Sequence, residues 1–369
     1  MNTCFLQSEE EDPFLLYRKM RSKNPVYRDE INGVWAIYGY KDCLSVLQNS
    51  TATIPQVHSD AEEMCDRYTR IIRENLARRS NPPQHRERKE TVMNLVRLMK
   101  PVDTKEIMGG LLAGTNKERV NWTEAIAKVL PVTVLLKSLE FGKEDVDFIL
   151  LHIAVIKKYM TIAMTYDIAE QLNAVSEKLY RSIEKHLLNR GWKIPDKDIS
   201  ISNLIGLCIQ GYDAMRGLLN NVLIQYLRHK DVLKIEGRDD FRKLVTETLR
   251  YVPVFHHTRR ILPKDMNIGE NFLKKGDELL LVLASANRDA AVFERAEFFD
   301  PDRKNNGDYL AFGSGVHSCP ADHFSINLAV DMLDYITSRF KTVGLSADIT
   351  YAPLSHARIP EQVILRLSE

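Results

Sequence analysis

Apolar side chains recur at three- and four-residue intervals over most of the chain, the spacing that gathers them on one face of a helix. The pattern predicts helices from Asp12-Pro13 to Met20, Tyr40 to Gln48, His85 to Met99, Trp122 to Leu139, Lys143 to Tyr159, Asp167 to Leu188 and Phe241 to Val252. A charged stretch from Ser59 to Arg79 also reads as helical, and Pro82-Pro83 stops it. Ser200 or Ser202 is the expected cap of a long helix reaching Arg228, with Leu204, Leu207, Cys208, Leu218, Leu219, Val222 and Leu223 on its apolar faces.

Alternation replaces this period near both ends. Pro25-Val26-Tyr27 and Val34 to Tyr38 read as strands joined by a turn at Asn32-Gly33, where both residues tolerate positive φ. Met266 to Ile268, Phe272-Leu273 and the run Leu279 to Leu283 are β-like and are separated by Gly269 and Gly276; the last strand runs from Val363 to Leu367. With β segments at both ends and helices between, the expected architecture is mainly α with small β-sheets, one interleaved domain over residues 1–369.

The chain has 369 residues, 44% hydrophobic and 27% charged, enough to bury a large core. Its 51 basic and 50 acidic residues leave a net charge of +1, which gives no general case for nucleic acid or an anionic membrane as partner. Five widely spaced cysteines without a CxxC pair argue against a zinc ribbon or a disulfide scaffold. The N-terminal stretch is acidic where a signal peptide is basic, and no segment reaches the length of a membrane span. A cytoplasmic protein is expected.

The chemistry concentrates in Phe312-Gly313-Ser314-Gly315-Val316-His317-Ser318-Cys319-Pro320-Ala321. A single cysteine ends a glycine-punctuated loop, and an apolar-periodic helix follows. Loop amides and a helix N-terminus stabilise a thiolate, which is then open to a metal from one side. Upstream lie Glu247-Thr248-Leu249-Arg250, whose acid and base share a helix face, then Arg260, Ala286-Asn287-Arg288-Asp289 and Phe299-Asp300-Pro301-Asp302-Arg303.

This ordered set resembles the bacterial cytochrome P450 family of haem-thiolate proteins. Asp12 to Asp29 looks like that family's N-terminal region, and Asn81-Pro82-Pro83-Gln84-His85 resembles the segment that opens its helix beneath the haem edge. The resemblance covers essentially the whole chain. It implies haem b bound through Cys319 as axial thiolate, with Phe312 packed near the sulfur and Gly313 shaping the turn. It further implies propionate contacts from His317, Arg260 and His85, and a buried network of Glu247, Arg250 and Arg303 that braces the loop. Val254, Phe255, His256 and His257 fall where the family lines its substrate pocket. One of the two histidines then binds a polar or acidic substrate group, or one bonds backbone while the other faces a propionate.

Departures from the family pattern bear on function. Ala321 replaces the usual glycine two residues after the cysteine, a mild change. Lys89 stands where a propionate arginine is usual, and lysine neutralises a carboxylate without forking around it. Gln210 to Met215 aligns with the segment crossing the oxygen side of the haem: Gly211 and Asp213 are kept, but Ala214 and Met215 occupy the threonine positions. The missing alcohol is supplied by a substrate hydroxyl or ordered water, or the enzyme runs coupling or desaturation chemistry less sensitive to that relay, or oxygen activation is uncoupled.

What the resemblance implies is an O2-dependent, two-electron oxidation of a small organic molecule, in natural-product tailoring. Electrons come from NAD(P)H through a ferredoxin or flavodoxin and its reductase, with Arg86, Arg88 and Lys89 either a docking patch for the donor or a solvated face. A peroxide-driven peroxygenase and a degenerate binding module stay open as alternatives.

Overall fold

The computed structural model describes residues 2–57, 59–161, 163–192 and 195–368. Its helices are α1 (Pro13–Lys23), α2 (Tyr40–Gln48), α3 (Arg67–Asn75), α4 (Gln84–Arg97), α5 (Thr104–Leu112), α6 (Leu130–Ser138), α7 (Lys143–Ile156), α8 (Tyr166–Asn189), α9 (Lys197–His229), α10 (Arg238–Tyr251), α11 (Leu283–Ala286) and α12 (Asp322–Arg339). The strands are β1 (Val26–Asp29), β2 (Val34–Ile37), β3 (Val120–Asn121), β4 (Thr258–Ile261), β5 (Met266–Ile268), β6 (Asn271–Leu273), β7 (Glu278–Leu281), β8 (Thr342–Leu345), β9 (Thr350–Tyr351), β10 (Pro360–Gln362) and β11 (Ile364–Ser368). The architecture is mainly α with small sheets, as the periodicity predicts.

The chain gathers into two compact units. One comprises Met1–Thr53, Thr104–Lys128 and Ala214–Glu369, the other Ile54–Asp103 and Val129–Asp213. Each is therefore assembled from segments distant in sequence.

The first unit is organised by a four-stranded sheet in the order β1-β2-β7-β4. β1 and β2 pair antiparallel, and Gly33 takes the left-handed conformation (φ +66°) in the connecting turn. β2 then pairs in parallel with β7, Ile37 opposite Leu281. Leu279 and Leu281 enter one core cluster with Ile37 and Leu47, while Leu280 and Val282 enter another with Phe14 and Tyr17. Burial on both faces explains why this strand reads as a continuous apolar run rather than an alternation. The strand ends at Leu281, two residues sooner than expected, because Val282 caps α11 and Leu283 already belongs to it.

Two expected helices are broken, each for a local reason. The Trp122–Leu139 stretch starts as a π turn over Thr123–Ala127, with the Lys128 amide donating to the Thr123 carbonyl at 3.0 Å, and restarts as α6. Pro131 lacks an amide proton and is tolerated only in a first turn, where α6 places it. The Ser59–Arg79 stretch divides into 3-10 turns at Asp60–Met64 and Ala77–Arg79 around α3. Asn203 accounts for the second break: its side chain accepts from the Ala77 amide (2.8 Å) and donates to the Asn75 carbonyl (2.9 Å). Neither group is then left for a continuing helix.

α9 begins earlier than the serines suggested. Asp196 accepts a hydrogen bond from the Ile199 amide at 2.8 Å, and Ser202 instead lies within the helix, donating to the Asp198 carbonyl. Farther along α9, Gly217 lies against Val254. A Cβ at 217 would meet Val254 Cγ1 at 2.6 Å, so only glycine permits this approach.

Candidate haem-thiolate site

The cysteine loop is built by backbone closure. The Gly313 amide donates to the Leu310 carbonyl (2.8 Å), the Ser318 amide to the Gly315 carbonyl (3.1 Å), and the Cys319 amide to the Phe312 carbonyl (2.9 Å). Gly313 and Gly315 hold φ values of +68° and +66°, a region costly for any residue with a Cβ. Between them and the cysteine, Gly315–His317 makes one 3-10 turn. Cys319 is half-buried just ahead of α12, where the helix N-terminus favours a negative sulfur. Phe312 is edge-on to Tyr309 at 5.9 Å.

Behind the loop lies a fully buried ionic network. Arg250 Nη2 and Nε donate to the two Glu247 oxygens at 2.6 and 2.8 Å, and both side chains are 0% exposed. The remaining donors of Arg250 reach the carbonyls of Asn287, Ala296 and Phe298 at 2.9–3.0 Å. Arg303 adds a second guanidinium 3.7 Å from Glu247 and donates to the Glu294, Arg295 and Phe298 carbonyls. Glu247 also accepts from the Asp300 amide (2.9 Å). One carboxylate thus faces two buried cations, hydrogen-bonded to Arg250 and in ion-pair range of Arg303, the pairing buried charges require.

Sequence motifs that looked separate meet here. Asn287 Oδ1 accepts from the Leu310 amide (2.7 Å), tying the Ala286–Asp289 segment to the start of the cysteine loop. Asp289 accepts from the Tyr40 amide (2.9 Å) at the start of α2. Arg288 donates to the Tyr251 carbonyl at 2.7 and 2.9 Å, on the other side of the same segment. Arg260 in β4 is nearly fully buried, its Nη1 held by the Arg259 carbonyl (2.8 Å) and Thr258 Oγ1 (3.2 Å). Ala321 ends the loop, its carbonyl accepting from the Ser325 amide as α12 starts.

The residues after α10 divide. Val254 packs against Gly217 of α9, and Phe255 stacks on His356. The hydrogen bonds of the two histidines lead elsewhere: His256 Nδ1 to the Tyr17 hydroxyl at 3.0 Å, and His257 Nε2 to the Ser355 carbonyl at 3.0 Å. Burial holds both imidazoles neutral, His257 at about 3 and His256 well below its ordinary value. Ala214 is half-buried, and Arg216, two residues farther along α9, is buried.

In the second unit, His85 and Lys89 stand one helical turn apart on α4, on one face. His85 is buried, and its Nδ1 donates to the Ala77 carbonyl (2.9 Å). Any bond from it to a carboxylate therefore runs through Nε2. Burial lowers the pKa of Arg88, whereas Arg86 is exposed. On α9, nothing among the described residues beyond the helix's own backbone and the glycine's chain neighbours comes within 4 Å of a Cβ placed on Gly211. Asp213 Oδ2 pairs with Lys157 Nζ at 3.3 Å. Nothing in the sequence signalled Lys157, which lies 56 residues away and outside any motif.

The donor set tests what could bind. No group of three or more His, Cys, Asp or Glu side chains among the described residues could hold a metal ion. The Cys319 sulfur therefore suits a metal whose other ligands come from a macrocycle, and buried Arg260 supplies a cation for an anionic edge of such a group.

The cytochrome P450 family profile matches residues 241–341, which span Glu247 to Cys319. Cytochrome P450 119 of Sulfolobus acidocaldarius is 25% identical over 94% of this chain and 95% of its own. The monooxygenase PikC of Streptomyces venezuelae is 28% identical over 84% of this chain and 79% of its own. Among solved structures, P450BioI in complex with an acyl carrier protein superposes with a TM-score of 0.83 at 19% identity, over 97% of this chain and 99% of that one. Fold, loop and relatives together point to a haem-thiolate enzyme: over nearly its whole length the chain is similar to cytochromes P450, monooxygenases that work with haem and an external supply of electrons. No helix among the described residues is long and apolar enough to cross a membrane.

Proposed function

We propose that the chain is a single-domain monooxygenase that oxidises a small organic molecule by two electrons, in natural-product tailoring, with haem b held by Cys319. The observation that carries this reading is the conjunction of one half-buried thiol at a glycine-closed loop with the buried Glu247–Arg250–Arg303 brace behind it. When bound, the haem supplies activation of dioxygen. The protein's own residues do the rest. Phe312 and Ala321 shape the sulfur side, His317, Arg260, His85 and Lys89 neutralise the propionates, and Val254 and Phe255 line the substrate pocket. His256 and His257 anchor the strand that leads to Arg260.

Proton supply departs from the family pattern. Asp213 is paired with Lys157, and Ala214 carries no hydroxyl to hand a proton onward. A substrate hydroxyl or an ordered water completes the path from the Asp213 carboxyl. Electrons come from NAD(P)H through a ferredoxin or flavodoxin and its reductase, acting in the cytoplasm. The tailoring role is supported by a structural neighbour, EryK, solved with erythromycin B.

The test is spectroscopic and kinetic. The reduced carbon-monoxide complex is expected to show the red-shifted thiolate Soret band, and Cys319→Ser to lose it. Turnover with ferredoxin and reductase is expected to exceed turnover with peroxide alone. A protein that takes up no haem on reconstitution would overturn the reading, and peroxide turnover equal to or faster than the ferredoxin system would favour a peroxygenase.

A further inference from the structure

A cavity of about 930 Å³ opens within the unit that carries the cysteine loop, and its walls include none of residues 211–217 or 312–321. It lies between the start of α1, the C-terminal half of α9, the end of α10 and the segment from β8 to Arg358. His256 lines it and is 0% exposed, and His256 Nε2 has no hydrogen-bond partner among the described residues.

The tautomer of that ring follows from its neighbours. Gln7 Nε2 donates to the Tyr17 hydroxyl (3.1 Å), and the hydroxyl lies 3.0 Å from His256 Nδ1. Burial raises the Tyr17 pKa, so the phenol keeps its proton. Tyr17 then accepts from Gln7 and donates to Nδ1, which places the imidazole hydrogen on Nε2. A buried N–H without an acceptor carries an uncompensated desolvation cost, and a ligand oxygen removes it.

Charge in the wall points the same way. Arg358 is 9% exposed; its guanidinium donates to the carbonyls of Gln7, Glu10 and Glu11, lies over the Tyr351 ring at 3.6 Å, and has no carboxylate partner among the described residues. Arg288 is sandwiched between Phe14 and Tyr251, 3.7 Å from each ring, and shares Glu297 with Arg21. The acidic residues of the wall, Glu11, Asp12 and Asp348, are exposed and screened by water. The buried charge is therefore positive. A bridge between Phe255 and Ala357 puts His256 and Arg358 on the same face of their short ladder.

We propose that this cavity is a second ligand site for a small monocarboxylate with an apolar or aromatic body, its carboxylate held by His256 Nε2–H and the Arg358 guanidinium and its body against Phe14, Pro253 and Ile349. The site is independent of the chemistry at Cys319. Calorimetric titration of the haem-loaded protein with benzoate tests it. One benzoate is expected to bind per chain with the Soret band unmoved, and benzyl alcohol, the same ring without the charge, to bind at least about tenfold more weakly. His256→Leu is expected to weaken benzoate at least about tenfold. Ile349→Trp, which fills the cavity from the partly exposed loop before β9, is expected to abolish binding while leaving the reduced carbon-monoxide spectrum intact. Absence of benzoate binding, binding only with a Soret shift, equal affinity for benzyl alcohol, or undiminished binding to Ile349→Trp would each overturn the proposal.

Discussion

Gly315 sits directly against the main chain of Leu47: a Cβ at 315 would lie 2.4 Å from the Leu47 carbonyl oxygen. The end of α2 and the cysteine loop therefore meet backbone to backbone. Gly313 shares the left-handed conformation, but its nearest neighbour would be 3.7 Å away. Gly313→Ala is thus expected to cost only the conformational strain, about 1–2 kcal/mol. Gly315→Ala adds a collision with main chain that cannot rotate aside, and should cost clearly more and release haem. Denaturant midpoints of the two variants, measured side by side, check the difference; equal losses would show that contact with Leu47 is relieved cheaply.

Glu247 carries the brace behind the loop. Removing its carboxylate leaves two buried guanidinium groups, Arg250 and Arg303, facing each other without an anion. Glu247→Ala is expected to destabilise the fold by about 3–5 kcal/mol. Haem content per chain should fall further than turnover per bound haem. Unfolding curves together with haem quantitation read both numbers, and unchanged stability would remove the network from the account.

Ala214 offers a direct test of the proton path. If a substrate hydroxyl or water stands in for the missing alcohol, Ala214→Thr should leave product per NAD(P)H unchanged or lower it by crowding that group. A large rise in coupling would show instead that the native helix relays protons poorly.

Acid should weaken the fold through the two buried histidines. His257 is held neutral to about pH 3 by burial, against an ordinary value of 6.5. As pH falls below 6.5 the unfolded chain takes up a proton that the folded chain refuses, so stability is lost on going down and is fully present above. The slope from His257 is about 1.4 kcal/mol per pH unit until about pH 3, and His256 acts in the same direction. His257→Gln, which retains a donor for the Ser355 carbonyl, should flatten the difference in stability between pH 6.5 and 5 measured by denaturant unfolding. An unchanged slope would mean that this ring is protonated in the native state.

How legible all this was depends on sequence separation. α2 could be delimited residue for residue because its apolar period is clean and Asn49 follows it. α5 escaped notice because Gly109 and Gly110 dilute its pattern, and β4 because Thr258-Arg259-Arg260-Ile261 is polar and becomes a strand only by pairing with β7. At the site, the cysteine loop and the Glu247–Arg250 pair were readable because each is local. The contacts of Asn287 with Leu310, Lys157 with Asp213 and Tyr17 with His256 span 23, 56 and 239 residues. No periodicity carries that information, since only the folded chain brings the partners together.

The missing side chain at 217 makes position 254 a lever on α9. Any bulkier residue at 254, introduced to reshape the pocket, presses on a helix backbone that has no slack, and the stretch that holds Ala214 shifts with it. Engineering libraries should therefore vary 217 and 254 jointly and treat α9 as a moving wall whose position is written into a single valine.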